Sequence, residues 1–208
     1  MYVGRLCLVG VSKTGAVVAA YLLSSRTFPE RMIDIEATTA KVIPKGSSAK
    51  DYPSKLFYDC IKVVKIDESA VLVVGNGPHT DYVESMVPRD SDLERPISDI
   101  LEVLGHEKDE QKTPRIIGVA GENELVLAVA SERGLDIKKF QAQPGKAYYV
   151  STYQLQEVGK HTVEDFTVTN ALEMIKTFKE TEPFRGFTNY IGSATANFSH
   201  GKLDLACD

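Results

Sequence analysis

The run Ala70-Val71-Leu72-Val73-Val74 carries no polar side chain and breaks off at Gly75-Asn76-Gly77-Pro78. Successive side chains of a strand point to opposite faces, so a strand apolar at every position is buried on both. The chain therefore needs material packed above and below this sheet. Asp59 to Ile66 supplies an antiparallel partner across the short Asp67-Glu68-Ser69 turn. Upstream, Tyr2 to Val11 and Ala16 to Ser24 form a second hairpin around Ser12-Lys13-Thr14-Gly15. Ile35 to Ile43 reads as one strand ended by Pro44, and residues 45–55, KGSSAKDYPSK, as a polar loop.

Helical spacing takes over after Pro78, a residue suited to a first helical turn, and runs to just before Pro88. A second helix starts near Pro96, with Ile97, Ile100, Leu101 and Leu104 on one face and Gly105 as its stop. Strands follow at Arg115 to Ala120, Leu125 to Ser131, Leu135 to Phe140 and Ala147 to Thr152. A third helix fits Val168 to Thr181, with Ala171, Leu172, Ile175 and Phe178 on its apolar face, and the tail from Phe187 to Phe198 reads as a last strand. Runs of hairpins separated by helices indicate an α+β protein, not an alternating βαβ array. Two antiparallel sheets of eight to ten short strands, flanked by helices, fit within one domain spanning residues 1–208.

Charge and cysteine usage exclude several classes. A net charge of −5 argues against a nucleic-acid or anionic-membrane partner. No apolar stretch approaches the roughly 20 residues that cross a bilayer. Arg5 interrupts the opening MYVGRLCLVGV, which reads as a strand and not a signal peptide. Cys7, Cys60 and Cys207 form no CxxC pair, which argues against a disulfide framework or structural zinc and places the protein in the cytoplasm.

Several stretches carry chemistry. In SSRTFPER, Arg26 and Arg31 flank a proline turn; they are either exposed loop arginines or planar forks for a phosphate or carboxylate. Tyr58 opens the strand YDCIKVV, where a phenol packs against a core or donates to an oxyanion. EKDEQKTPR gathers Glu107, Lys108, Asp109, Glu110, Lys112 and Arg115. Such a cluster is a solvated loop, or a place where neighbouring cations push carboxylate pKa values apart to give an acid–base pair. GNGPHTD brings Asn76, His79 and Asp81 together without the further ligands that a metal would need, so no metal site is assigned. Gly75 and Gly77 allow close backbone approach there, and an anion or a polar ring substituent could dock on the corner.

Taken in order, MYVGR, AYLLSSRTFPER, YDCIKVV, NGPHTD, EKDEQKTPRI and YYVSTY resemble the archaeal-type IMP cyclohydrolases over roughly residues 1–155. The resemblance implies the fold of the N-terminal-nucleophile hydrolases, a four-layer αββα sandwich. It implies closure of 5-formamidoimidazole-4-carboxamide ribonucleotide to inosine monophosphate, with a purine ribonucleotide as the small-molecule partner and no cofactor. Met1 and Tyr2 offer none of the Cys, Ser or Thr nucleophiles for which that fold is named. By resemblance, Arg31, Tyr58 and Glu110 are the catalytic candidates, and Arg26, Asn76, His79, Asp81, Asp109 and Arg115 are the substrate-binding ones. Gln154 stands shortly after STY, where the resemblance calls for a glutamate. A non-catalytic nucleotide-binding protein, or an amidohydrolase using Cys7 or Cys60, are the alternatives. Exposed apolar residues on the third helix would suit a homo-oligomer.

Overall fold

The computed structural model describes residues 1–46, 56–87 and 92–208. Most of the KGSSAKDYPSK loop, and Pro88, lie outside them.

The described residues form two antiparallel sheets and three α-helices. The first hairpin is β1 (Arg5–Val11) and β2 (Val17–Ser24), as the sequence implies. Ile35 to Ile43 is not one strand. β3 (Arg31–Glu36) and β4 (Thr39–Pro44) meet at a tight turn in which Ala37 takes φ +54°. No Gly, Pro, Asn or Asp marks that turn, so its sequence gives no warning. β5 (Tyr58–Ile66) and β6 (Ser69–Gly75) follow, then α1 (His79–Met86) and α2 (Glu94–Leu104), the latter closed by Gly105 at positive φ.

β7 (Arg115–Ala120), β8 (Glu124–Ser131), β9 (Gly134–Gln141) and β10 (Lys146–Ser151) match the sequence reading, while the three-residue β11 (Thr162–Glu164) is additional. α3 runs Ala171–Glu180, starting three residues later than the sequence reading because Asn170 caps it through the Glu173 N–H. Its buried face is Ala171, Met174, Ile175 and Phe178, and Leu172 is exposed instead. The tail holds two strands, β12 (Tyr190–Ser199) and β13 (Lys202–Cys207), joined at His200-Gly201, both at positive φ. The described residues thus carry thirteen strands against eight to ten expected.

The six-stranded sheet has the order β11-β10-β1-β2-β12-β13 and the seven-stranded sheet β3-β4-β5-β6-β7-β8-β9. Strand alternation assigns their faces. Cys7, Val9, Ala19 and Leu23 meet Ile61, Leu72, Val74 and Leu127 in a core between the sheets. Leu6, Leu8, Ala20 and Leu22 face the other way, against Met174 and Phe178 of α3. Val71, Val73, Val119 and Val126 pack on Val83 of α1 and Ile97 and Leu101 of α2. This is why β1, β2 and β6 tolerate no polar alternation: each has a layer on both sides. No described helix is long and apolar enough to cross a membrane.

One irregularity decides the site. β4 pairs Ala40 with Ile61 and Lys41 with Asp59, leaving Cys60 as the extra residue of a bulge. The bulge resets the side-chain parity, so Tyr58 and Ile61 both face the space between the sheets although three positions apart.

Candidate active site

Tyr58 of one sheet meets Tyr21 of the other, with their hydroxyls 2.6 Å apart and the rings edge to face. Tyr21 is fully buried, and burial, then the adjacent Tyr58, pushes its pKa well up. Two guanidiniums stand beside this pair. Arg5, at the start of β1, faces the Tyr58 phenol. Arg31, at the start of β3, is completely buried, and its Nε donates to the Phe28 carbonyl at 3.1 Å. Its Nη1 and Nη2, and Nε of Arg5, have no partner among the described residues. Burial lowers the Arg31 pKa, an effect partly offset by Tyr58. A buried cation with a largely unmet fork is costly unless something anionic completes it.

Above the tyrosines opens a cleft of connected chambers. The floor, about 40 Å³, is lined by Arg5, Tyr58, Asn76, Glu107, Asp109 and Thr113. Arg5, Asp109 and Thr113 also line a middle chamber of about 440 Å³, which adds Tyr2, Phe28, Glu110 and Tyr153. Tyr2, Thr27, Gln111 and Tyr153 continue into an outer chamber of about 390 Å³ that holds Arg26 and Gln154. The two larger volumes fall in the ~300–1,000 Å³ range of small-molecule sites. At the rim the Arg26 guanidinium lies over the Tyr2 ring at 4.0 Å, and Tyr2 stacks on Tyr153 at 5.7 Å. Gly4 makes that stack possible. It takes φ +72°, and a Cβ there would stand 2.2 Å from Oγ1 of Thr152 and 2.8 Å from the Tyr153 ring.

The acidic loop is sorted by hydrogen bonding. Glu107 pairs with Arg115, and Asp109 accepts from both N–H and Oγ1 of Thr113, each at 2.8 Å. Glu110 is exposed on the wall of the middle chamber. Arg115 lies beneath this loop and lines none of the three chambers.

The GNGPHTD corner divides. Asn76 reaches the chamber floor, but its amide is engaged: Nδ2 donates to Pro114 O at 2.9 Å and Oδ1 accepts from Ile116 N–H at 2.8 Å. His79 is fully buried beneath the corner, with Nε2 3.0 Å from Ile116 O. Burial lowers its pKa to about 4, so the neutral ring donates through Nε2. A Cβ on Gly77 would stand 3.1 Å from Nδ1 of His79 and 3.2 Å from Oε1 of Glu107, which explains a glycine there. Asp81 lies across the seven-stranded sheet from the cleft, bonded to Lys62 at 2.9 Å. The structure therefore brings Tyr58, Asp109, Glu110, Arg26 and Asn76 to the cleft and sets Arg31 against Tyr58. His79, Asp81 and Arg115 build the frame around it.

Sequence reasoning missed Tyr21, Arg5, Tyr2 and Tyr153 as site residues. Tyr21 alone left a trace, as the one phenol inside the buried run VVAAYLLS. Cys7 and Cys60 lie in the core between the sheets, fully buried, with burial pushing both thiols up. A thiolate nucleophile at either position has no support. No group of three metal-ligating side chains is found among the described residues.

The IMP cyclohydrolase-like protein family matches residues 2–200, well past residue 155 where the quoted motifs end. An IMP cyclohydrolase of Methanocaldococcus jannaschii is 33% identical over 178 residues, 84% of each chain. One of Methanosphaera stadtmanae is 33% identical over 199 residues, 94% of each chain. One of Methanococcus maripaludis strain C7 is 30% identical over 185 residues, covering 88% of this chain and 90% of its own.

Proposed function

Because the chain belongs to the IMP cyclohydrolase-like protein family, we propose that it closes a formamidoimidazole carboxamide ribonucleotide to inosine monophosphate, the last step of purine biosynthesis. The carrying observation is the floor of the cleft: a phenol held between two sheets, beside the Arg31 guanidinium with both terminal nitrogens unmet and the Arg5 guanidinium with Nε unmet, and the Glu110 carboxylate exposed on the wall above.

The reaction joins two groups already on one molecule. The carboxamide nitrogen attacks the formyl carbon; that nitrogen and the former formamide nitrogen each lose one proton, and the formyl oxygen leaves as water. Enclosure in a cleft that fixes both groups supplies much of the rate. Glu110 transfers the protons, work worth roughly 10²–10⁴-fold. The Tyr58 O–H donates to the oxyanion of the tetrahedral intermediate. Arg31 holds its charge against Tyr58, and the field of that buried cation favours the oxyanion. Arg26, exposed over Tyr2 in the outer chamber, is the cation for the nucleotide phosphate, and Asp109 positions the loop that carries Glu110. Asn76, His79, Asp81 and Arg115 serve this site by holding the corner, the sheet and the loop in register.

The layering of one helix, two sheets and two helices supports the four-layer αββα sandwich of the N-terminal-nucleophile hydrolases, with the whole chain as one domain. The family reading is also consistent with a cytoplasmic site of action. The test is direct: the purified protein is given the formamido ribonucleotide and ring closure is followed by absorbance. Formation of IMP with saturation kinetics supports the reading, and no IMP at saturating substrate overturns it.

A further inference from the structure

Tyr21 lies on no chamber wall, yet its hydroxyl is 2.6 Å from the hydroxyl that does. We propose that Tyr21 is a positioning residue for the ring closure, aiming the Tyr58 proton into the chamber floor by donating its own to the Tyr58 oxygen. This rests on the cyclohydrolase reading above.

Hydrogen-bond accounting fixes the direction. A phenol has one proton and accepts through its oxygen. Tyr21 is fully buried, and Tyr58 is its one hydrogen-bond partner among the described residues. Were Tyr58 the donor, the Tyr21 proton would be stranded in the core with no acceptor, a penalty that native interiors avoid. With Tyr21 as donor, its proton is satisfied and the Tyr58 proton is released to point elsewhere. The Arg5 guanidinium takes no proton and faces the Tyr58 oxygen only as a donor. The direction left to the Tyr58 proton is the open floor chamber, where the reacting oxygen lies. An oxygen that accepts from a phenol beside a guanidinium is also a stronger donor, because hydrogen bonds in a chain polarise one another and the cation favours the electron-rich oxygen.

The fold accounts for the distance. Tyr21 sits in β2 of one sheet and Tyr58 adjoins the β5 bulge in the other, so the contact reports the spacing of the sheets. Burial and then Tyr58 raise the Tyr21 pKa and outweigh the opposing field of Arg5, so Tyr21 stays protonated.

The experiment compares Tyr21→Phe, Tyr58→Phe and the double variant with the wild type in the ring-closure assay, with IMP binding and thermal unfolding measured on each. Tyr21→Phe removes a hydroxyl outside the chambers, so kcat falls about 10- to 100-fold while KM and IMP affinity stay within about threefold. Adding Tyr21→Phe to Tyr58→Phe causes no further loss of kcat, because Tyr21 acts only through Tyr58. Wild-type kcat in Tyr21→Phe, or a full multiplicative loss in the double variant, overturns the proposal. If Tyr21→Phe fails to fold, 3-fluorotyrosine placed at position 21 keeps the hydroxyl and strengthens it as a donor. It should raise kcat at unchanged KM, and an unchanged kcat overturns the proposal. An inactive wild type would instead overturn the cyclohydrolase reading itself, so the two failures are distinguishable.

Discussion

The Asp109 carboxylate accepts from both the backbone N–H and the hydroxyl of Thr113, closing the acidic loop onto the approach to β7 at 2.8 Å on each arm. That pair of hydrogen bonds sets the neighbouring Glu110 on the chamber wall. Asp109→Ala should therefore cost about 1–3 kcal/mol of stability, because the Thr113 N–H loses its partner and the Thr113 hydroxyl keeps only the longer contact to the Tyr153 hydroxyl at 3.3 Å. It should also lower kcat at least tenfold as Glu110 loses its bearing. Urea unfolding and initial rates measure both. A tenfold rate loss without any stability loss would mean that Asp109 acts on substrate directly.

Glu110 gives the converse pattern. Its side chain is exposed and the hydrogen bonds that order the loop belong to its neighbours. Glu110→Gln should leave the melting temperature within about 1 °C while reducing kcat by about 10²-fold or more. A rate within twofold of wild type would remove Glu110 from the proton-transfer role.

Asn76 joins the strand end to the β7 entry with both ends of its amide. Asn76→Ala leaves a buried carbonyl at Pro114 and a buried N–H at Ile116 without these partners. A loss of about 2–4 kcal/mol is expected by urea unfolding, with Asn76→Asp recovering only the bond to Ile116. Unchanged stability would show that the amide serves a ligand and not the corner.

The layers were legible in the sequence because burial on both faces removes polar alternation, as in β2 and β6, where every or nearly every residue is buried. The cleft was legible only in part. Glu107, Asp109 and Glu110 look alike as letters, and only the positions of Arg115 and Thr113 decide which carboxylate stays open. Tyr21 left only the trace of a phenol in an apolar run, because such a tyrosine reads as packing until its hydroxyl partner arrives from another sheet. The β5 bulge that brings Tyr58 round has no sequence mark either, since Cys60 fits an ordinary strand.

Thiol chemistry should be irrelevant to turnover. Cys7 and Cys60 are fully buried, and Cys207, half-buried with its thiol raised by burial, donates to Ile33 O at 3.4 Å. Iodoacetamide on the native protein should label Cys207 first, spare the other two, and leave kcat within about 20% of the untreated rate. Mass spectrometry of the alkylated protein, read beside its activity, checks this. Loss of activity in step with labelling of Cys7 or Cys60 would revive a cysteine nucleophile.

His79 predicts how the corner responds to acid. Burial holds its folded pKa at about 4, below the ordinary 6.5. The unfolded chain therefore takes up a proton first as pH falls. Stability is fully present above about pH 6.5, declines through the interval down to about 4, and the decline is worth about 3 kcal/mol for this group. Carboxylates add their own acid response, so the measurement is a difference: urea unfolding of wild type and His79→Gln at pH 7.5 and pH 4.5. The glutamine amide introduced by that substitution can still donate to the Ile116 carbonyl but does not titrate. The variant should thus lose markedly less stability than wild type between the two pH values, even if it starts lower. Equal losses would mean that the His79 ring is protonated in the folded protein, its Nδ1 proton held by an acceptor such as the nearby Glu107 carboxylate.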